Sequence, residues 1–309
     1  MKQITVEEYR RRYFDESLLK DDGIRIYETE AADCRLPKRK PVSHKYSYGR
    51  ALIIGGSEGF SGAPALAANA CERGGAGLTH VMVPRQIYPI VAAKCDGAVV
   101  TPVCSKENGP ADSEAMTEIL PQLKKANACA VGPGLGHDQD ALEIVRAVVR
   151  EAACPLVLDA DALTLCGLDM SLLRECGVPV ILTPHEGEFR RLRGDLADGR
   201  LSGALKFAAE HPNTILVLKG HGTLICSGRE VTVNPTGSPA MAKGGSGDVL
   251  CGLLCALLAQ GFDPLFSART AVYLHGLAGD LACSELGEYS VTPSCLIRFL
   301  PAAFRQSTL

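Results

Sequence analysis

Residues 234–261 read NPTGSPAMAKGGSGDVLCGLLCALLAQG. Within this stretch GGSGD (244–248) stands directly ahead of a long apolar run with helical character. Glycines let a backbone approach a ligand closely and aim successive N–H groups at it. A helix N-terminus adds about half a positive charge at the same point. Gly245, Ser246 and Gly247 therefore read as an anion hole for a phosphate. Asp248, at the helix start, would face that phosphate as the base for an attacking hydroxyl. The plainer alternative is a glycine-rich turn with Asp248 as a helix cap. No Lys-Ser/Thr pair follows the glycines, so the stretch is not a Walker A loop. VLCGLLCALLAQGF (249–262) is too short to span a bilayer and reads as a buried core helix.

Upstream, short apolar runs alternate with helix-length segments. The runs are ALIIGG (51–56), LTHVMVP (78–84), GAVVTPV (97–103), ACAVGPG (128–134), PLVLDAD (155–161), VPVILTPH (178–185) and TILVLKG (214–220). Helical patterns lie at 62–73, 113–124, 138–152 and 201–210, and residues 223–233 suggest a hairpin around Ser227-Gly228. Uniformly apolar strands separated by helices predict an α/β fold with a mostly parallel sheet covered on both faces. Ligands of such sheets bind beyond the carboxyl ends of the strands. The polar residues there are Gly55 to Ser57, Gly132 to Gly136, Asp159, Asp161, His185 to Glu188 and Lys219 to Thr223.

Composition narrows the function classes. The chain has 309 residues, 46% hydrophobic and 22% charged, which excludes global disorder. A net charge of −3 gives no general attraction to nucleic acid or anionic membrane. The 13 cysteines are odd in number, scattered and without a CxxC, which predicts free thiols in a reducing cytoplasm. Cys251 and Cys255 have no nearby His or Cys pair to complete a metal site. No apolar targeting segment opens the chain. Residues 1–40 carry 10 basic and 9 acidic side chains. A helix over about Thr5 to Lys20 is expected there, with Thr5 as N-cap and Glu8 completing a capping box. The expected division is a charged extension over 1–42, read as a subunit contact, and one catalytic unit over 43–309.

GGSGD followed by a small-residue helix resembles the ribokinase-like superfamily. RALIIGGSEGFSGAPALAANACERGGAGLTHVMVP (50–84), AVGPGLG (130–136), PLVLDADAL (155–163), ILTPHEGEF (181–189) and LKGHGTLI (218–225) resemble, in order, the ADP- or ATP-dependent NAD(P)H-hydrate dehydratases. The resemblance spans about residues 43–300. It implies a three-layer α/β/α fold and a metabolite-repair lyase. Such an enzyme phosphorylates the hydroxyl of hydrated NADH or NADPH (the S-epimer) with ADP or ATP, and loss of phosphate then restores the dinucleotide. Asp248 would act at the substrate hydroxyl, with Gly245, Ser246 and Gly247 around the phosphate. Lys219, Gly220, His221, Gly222, Thr223 and Gly247 would hold the adenine nucleotide, with Asn234 near it. Ala63, Gly136 and His185 would contact the hydrated nicotinamide nucleotide. Glu188 would orient Mg²⁺ through water.

Several of these positions admit plainer roles. Glu188 can be a solvated helix-start carboxylate, Lys219 a lysine in solvent, and Asp159 and Asp161 helix caps. His80, His137, His211 and His275 have no nearby ligand partners and are expected to be structural or superficial. His44 and Lys45 resemble a His-Lys-Gly element near the nucleotide, although Tyr46 replaces the glycine. Lys243 replaces a small hydroxylated residue, and PAM (239–241) replaces Pro-Gly-Met. Some relatives fuse an epimerase to this unit, so a separate epimerase is the expected functional partner, beside a homo-oligomeric assembly. A vitamin or sugar kinase of the same superfamily, and a non-catalytic nucleotide-binding protein, remain as alternatives.

Overall fold

The computed structural model describes residues 1–17, 24–105 and 111–308. Among these residues eleven strands form one sheet, in the order β1-β2-β11-β10-β9-β8-β7-β6-β3-β4-β5. Seven are the expected apolar runs: β3 (Arg50–Ile54), β4 (Leu78–Pro84), β5 (Val99–Val103), β6 (Ala128–Val131), β7 (Leu156–Leu158), β8 (Val180–Leu182) and β9 (Thr214–Leu218). They pair in parallel throughout. The expected hairpin forms β10 (Leu224–Ser227) and β11 (Glu230–Val233), antiparallel to one another.

Side-chain alternation sorts the strands onto two cores. Leu52, Ile54, Cys129, Val131, Leu156 and Leu158 face one layer of helices. That layer holds α4 (Met116–Leu123), α5 (Gln139–Glu151), α6 (Asp161–Leu168), α7 (Ser171–Glu175), α8 (Glu186–Arg191) and α9 (Arg200–Glu210). Ala51, Ile53, Ala128, Ala130 and Val157 face the other. There α2 (Gly62–Arg73), α3 (Tyr88–Lys94), α10 (Ser246–Ala259), α11 (Pro264–Leu286) and α12 (Pro293–Ser307) pack. Apolar residues on both faces of each central strand therefore reflect cover on both sides, as expected of parallel strands.

The run from Val249 to Ala259 is buried throughout, so α10 is the central helix of its layer. Small residues let it sit against α2. A Cβ at Gly252 would collide with the carbonyl oxygen of Ala67. No helix among the described residues is long and apolar enough to cross a membrane.

The N-terminal segment departs from the expectation in length and in placement. The capping box of Thr5 and Glu8 is present, and α1 spans Val6–Tyr13. It stops there because Phe14 turns into the left-handed region at φ 53°. The expected end near Lys20 lies outside the described residues. Two unforeseen strands, β1 (Lys2–Ile4) and β2 (Arg25–Glu28), flank this helix, and β2 pairs with β11. Each is only three or four residues long, with mixed burial, so no periodicity exposed it.

Asp15 and Ser17 tie the segment down. The Asp15 carboxylate accepts from the hydroxyls of Tyr9 (2.7 Å) and Ser17 (2.7 Å) and from the amide of Leu201 (3.0 Å). The Ser17 hydroxyl accepts from the amides of Leu201 and Ser202. Gly199, the N-cap of α9, has no side chain to do this, so the cap comes from the N-terminal segment. Burial pushes the Asp15 carboxyl up, but the bonds from Ser17, Tyr9 and Leu201 outweigh it and its pKa falls.

Gly252→Ala tests the α2–α10 contact. The added methyl meets main chain, so the helices must separate, at a cost of about 1–3 kcal/mol or more. Thermal unfolding should shift down by several degrees, and an unchanged midpoint would show that the helices can part freely.

Candidate active site

The cleft opens at the carboxyl ends of β7, β8 and β9, under the N-terminus of α10. It encloses about 760 Å³. His185, Glu188, Lys219 to Thr223, Asn234 and Gly244 to Asp248 all line it. Sequence segments more than sixty residues apart thus converge on one hollow.

At its base lies Lys219. Its ammonium group stands 3.1 Å from Asp159 Oδ1 and 3.5 Å from Glu188 Oε2, and the side chain is only 20% exposed. Burial works against the charge, but Asp159 and Glu188 outweigh it and the Lys219 pKa is raised. A Cβ on Gly247 would stand 3.1 Å from Lys219 Nζ. The cation therefore sits against the first turn of α10, beside the amides that lack intrahelical acceptors. Gly245 adopts φ 96° as the N-cap of that helix, a conformation that glycine reaches without strain.

Asp248 is held among other carboxylates. Burial and the charge of Asp159, opposed by Lys219 and reinforced by Asp161 and Glu188, push its carboxyl up to about 7. A carboxyl at that value is poised to take a proton near neutral pH. The Ser246 hydroxyl donates to the carbonyl of Met241 (2.8 Å), so only its backbone amide is left to face the cleft.

The other sequence candidates fall into groups. Glu188 is buried, not solvated as one reading allowed. Its Oε2 accepts from the His185 amide (2.8 Å), while His185 Nδ1 accepts from the amides of Gly187 (3.0 Å) and Glu188 (3.2 Å). This capping box fixes the imidazole with its proton on Nε2. The Asn234 amide group donates to the Thr236 carbonyl, and its oxygen accepts from the Thr236 hydroxyl, so it shapes the NPTG turn at the cleft wall. Lys243 donates to the carbonyl of Tyr289 (2.6 Å) at the cleft mouth.

Ala63 and Gly136 are not in the cleft lining. Gly136 donates its amide to Asp161 Oδ2 (2.8 Å). A Cβ on Gly134 would stand 3.4 Å from the Ala63 methyl. Through Asp161, Gly136 adjoins a second hollow of about 400 Å³, lined by His137, Ala160, Asp161, Thr164, Glu188 and Arg191, whereas Ala63 lines neither hollow. The second hollow shares Ala160 and Glu188 with the main cleft. Ala160, between Asp159 and Asp161, has φ 48° and ψ −114°, a backbone conformation that costs about 1–3 kcal/mol. That turn sends one carboxylate to Lys219 and the next to Gly136 and His137.

His137 keeps the structural or surface role expected of it: its side chain is 57% exposed, and its Nε2 lies 2.9 Å from Asp161 Oδ1 in the second hollow. Two expectations need correction. His275 lines the main cleft; burial lowers its pKa to about 4, and among the described residues its Nε2 has no hydrogen-bond partner. Its place in the cleft depends on residues far away in sequence, so spacing hid it. His44 and Lys45 line neither hollow; they are exposed beside Gly49 and Gly77, and Gly49 abuts Ala259 at the far end of α10. Tyr13 also lines the main cleft, a contribution no motif announced.

Fold and site define an α/β protein of the ribokinase-like kind, with a glycine-capped helix end in the cleft and an acid beside it. Residues 51–302 match the Carb_kinase family, described as NAD(P)H-hydrate dehydratase, and the chain belongs to that family. It is 39% identical over 282 residues to the bifunctional NAD(P)H-hydrate repair enzyme Nnr of Moorella thermoacetica, covering 89% of this chain and 53% of that protein. The chain thus spans about half the length of that relative. It is 33% identical over 268 residues to the ADP-dependent (S)-NAD(P)H-hydrate dehydratase of Listeria monocytogenes, covering 86% of this chain and 91% of that one. The crystal structure of the ADP/ATP-dependent NAD(P)H-hydrate dehydratase from Bacillus subtilis, co-crystallised with ATP and Mg²⁺, superposes with a TM-score of 0.77 at 30% identity, over 93% of this chain and 99% of that one. Hydroxyethylthiazole kinase from Pyrococcus horikoshii shares the fold, with a TM-score of 0.51 at 17% identity over 77% of this chain and 92% of that one.

The raised Asp248 pKa carries a stability consequence. The carboxyl ionises near 3.8 when unfolded and near 7 when folded, so the folded state holds the extra proton between these values. Stability from this group is complete below about 3.8 and is lost as pH rises through about 7. The displacement is worth at most about 4 kcal/mol. Asp248→Asn should therefore unfold at a higher temperature than the parent at pH 8, by several degrees, and the gap should close toward pH 4. A gap independent of pH would contradict this account.

Proposed function

We propose that this protein dehydrates the S-epimer of hydrated NADH and NADPH, using ADP or ATP as phosphate donor. The observation that carries the reading is Asp248, half-protonated near pH 7, at the mouth of the α10 anion hole and beside the buried cation Lys219. The family match and the Listeria and Bacillus relatives support the choice of substrate.

In this reading the donor's terminal phosphate meets the first-turn amides of α10, from Gly245 to Asp248. Lys219 supplies fixed positive charge beneath it. Asp248 removes the proton from the ring hydroxyl as the hydroxyl oxygen attacks phosphorus. The bond from phosphorus to AMP, or to ADP when ATP is the donor, breaks. Phosphate then leaves the ring carbon with the C–O bonding electrons, where water was a poor leaving group. The adjacent ring carbon gives up a proton to the departing phosphate or to solvent, so that its C–H electrons form the double bond of the restored dihydronicotinamide. Such transfers depend chiefly on positioning and electrostatics, which is what these groups provide.

The paired Lys219 keeps Asp159 and Glu188 from repelling the incoming phosphates without relief. Magnesium fits here only as a companion of the phosphates. Among the described residues no group of three or more ligating side chains converges, and Asp159 is already engaged by Lys219 and Thr183. Glu188 and Asp161 would hold the ion through water, where it would offset phosphate charge. The hydrated nicotinamide would approach from the second hollow, past His185, Gly136 and Ala63. A cytoplasmic setting, a separate epimerase as functional partner and a homo-oligomeric assembly belong to the same reading.

Purified protein mixed with hydrated NADH, Mg²⁺ and ADP or ATP should regain the near-ultraviolet absorbance of the dihydronicotinamide and release phosphate. Asp248→Asn should lower the rate by about 10²-fold or more. Nucleotide binding without recovery would sink the dehydratase reading and direct the search to hydroxylated small molecules as kinase substrates.

A further inference from the structure

We propose that the N-terminal segment builds the outer wall of the nucleotide site, with Tyr13 and Phe14 joining His221 in an aromatic rim that takes the adenine base. The inference rests on the adenine-nucleotide reading above and assigns residues that no motif pointed to.

The Lys219–Thr223 loop runs from the phosphate end of the cleft to this rim. Lys219 lies against α10 at the inner end. Two residues later, the His221 ring stands 5.7 Å from that of Tyr13 and 6.3 Å from that of Phe14, centroid to centroid. Two residues of extended chain reach roughly 7 Å. A ribose can bridge such a span, leaving the base beside the three rings.

The rim is built to hold its place. The Tyr13 hydroxyl donates to Glu28 Oε2 (2.8 Å), and Arg12 Nη1 donates to the same oxygen (2.8 Å). Gly222 has φ 61° and lies so close to the Tyr13 ring that a Cβ would collide with it. Arg200 Nη1 donates to the His221 carbonyl (2.7 Å), which anchors the loop from the other side. Asp15 and Ser17, one and three residues after Phe14, bind the start of α9.

Phe14 is the exception to economical folding. It is 85% exposed and stands in the left-handed region, at φ 53°, where a bulky side chain is disfavoured. Burial in the folded chain does not repay that conformation. A flat ligand against its face would. Aromatic stacking accepts a base by its π-face, whereas it offers nothing to a bare phosphate chain.

The test titrates the full chain with ADP and, separately, with inorganic tripolyphosphate. Phe14→Ala should fold normally, because the side chain makes little buried contact. Phe14→Ala and Tyr13→Leu should each weaken ADP roughly fivefold or more. Tripolyphosphate affinity should stay within twofold of the parent, and Tyr13→Phe should restore ADP binding. ADP affinity unchanged in both variants would overturn the rim. So would equal weakening of tripolyphosphate, or a Tyr13→Phe variant as weak as Tyr13→Leu. A parent chain that does not bind ADP would instead overturn the nucleotide reading on which the rim rests. Loss of hydrated-NADH turnover with rim-dependent ADP binding intact would overturn the dehydratase reading alone.

Discussion

Lys219 carries its charge into a largely enclosed place, between Asp159 and Glu188 and against the first turn of α10. Ion pairs in such settings gain little net stability, because desolvation offsets attraction. Breaking this one would leave two carboxylates uncompensated beside Asp248. The pair therefore organises the site. It holds the ends of β7, β8 and β9 in register with α10, and it moderates the field that raises Asp248. Removal of the cation would push that carboxyl further up.

Helix α10 ties this chemistry to the core. Its first turn belongs to the cleft, while the remaining turns are buried and pressed against α2 through Gly252. Close packing of small residues fixes the axis of this helix and so the position of its end in the cleft. The strained turn at Ala160 works with this rigidity. It is held by Asp159 on one side and Asp161 on the other, each with its own partners, so its cost is met by a network.

The N-terminal segment has a structural and a cleft-facing side. Asp15 and Ser17 cap α9, and β2 extends the sheet beyond β11. The same stretch brings Tyr13 to the cleft. Capping and lining are thus coupled, because the bonds that close α9 also set the position of the ring.

The alternation of apolar runs and helices determined the parallel sheet before any coordinates, since strands covered on both faces must be apolar throughout. GGSGD ahead of an apolar helix likewise declared the glycine-capped start of α10, because that signal lies in adjacent residues. Thr5 and Glu8 announced their capping box for the same reason. Tertiary structure alone decided what depends on distant partners. Lys219 and Asp159 are sixty residues apart, and only the sheet makes them neighbours. His137 and His275 gain their places from Asp161 and from the cleft, not from local spacing. Strands β1 and β2 are too short for periodicity to reveal; β2 pairs along the edge that β11 leaves open, and β1 then pairs with β2. Local chemistry is written in neighbouring letters, whereas pKa values, pairing and cleft walls arise from burial and from contacts across the fold.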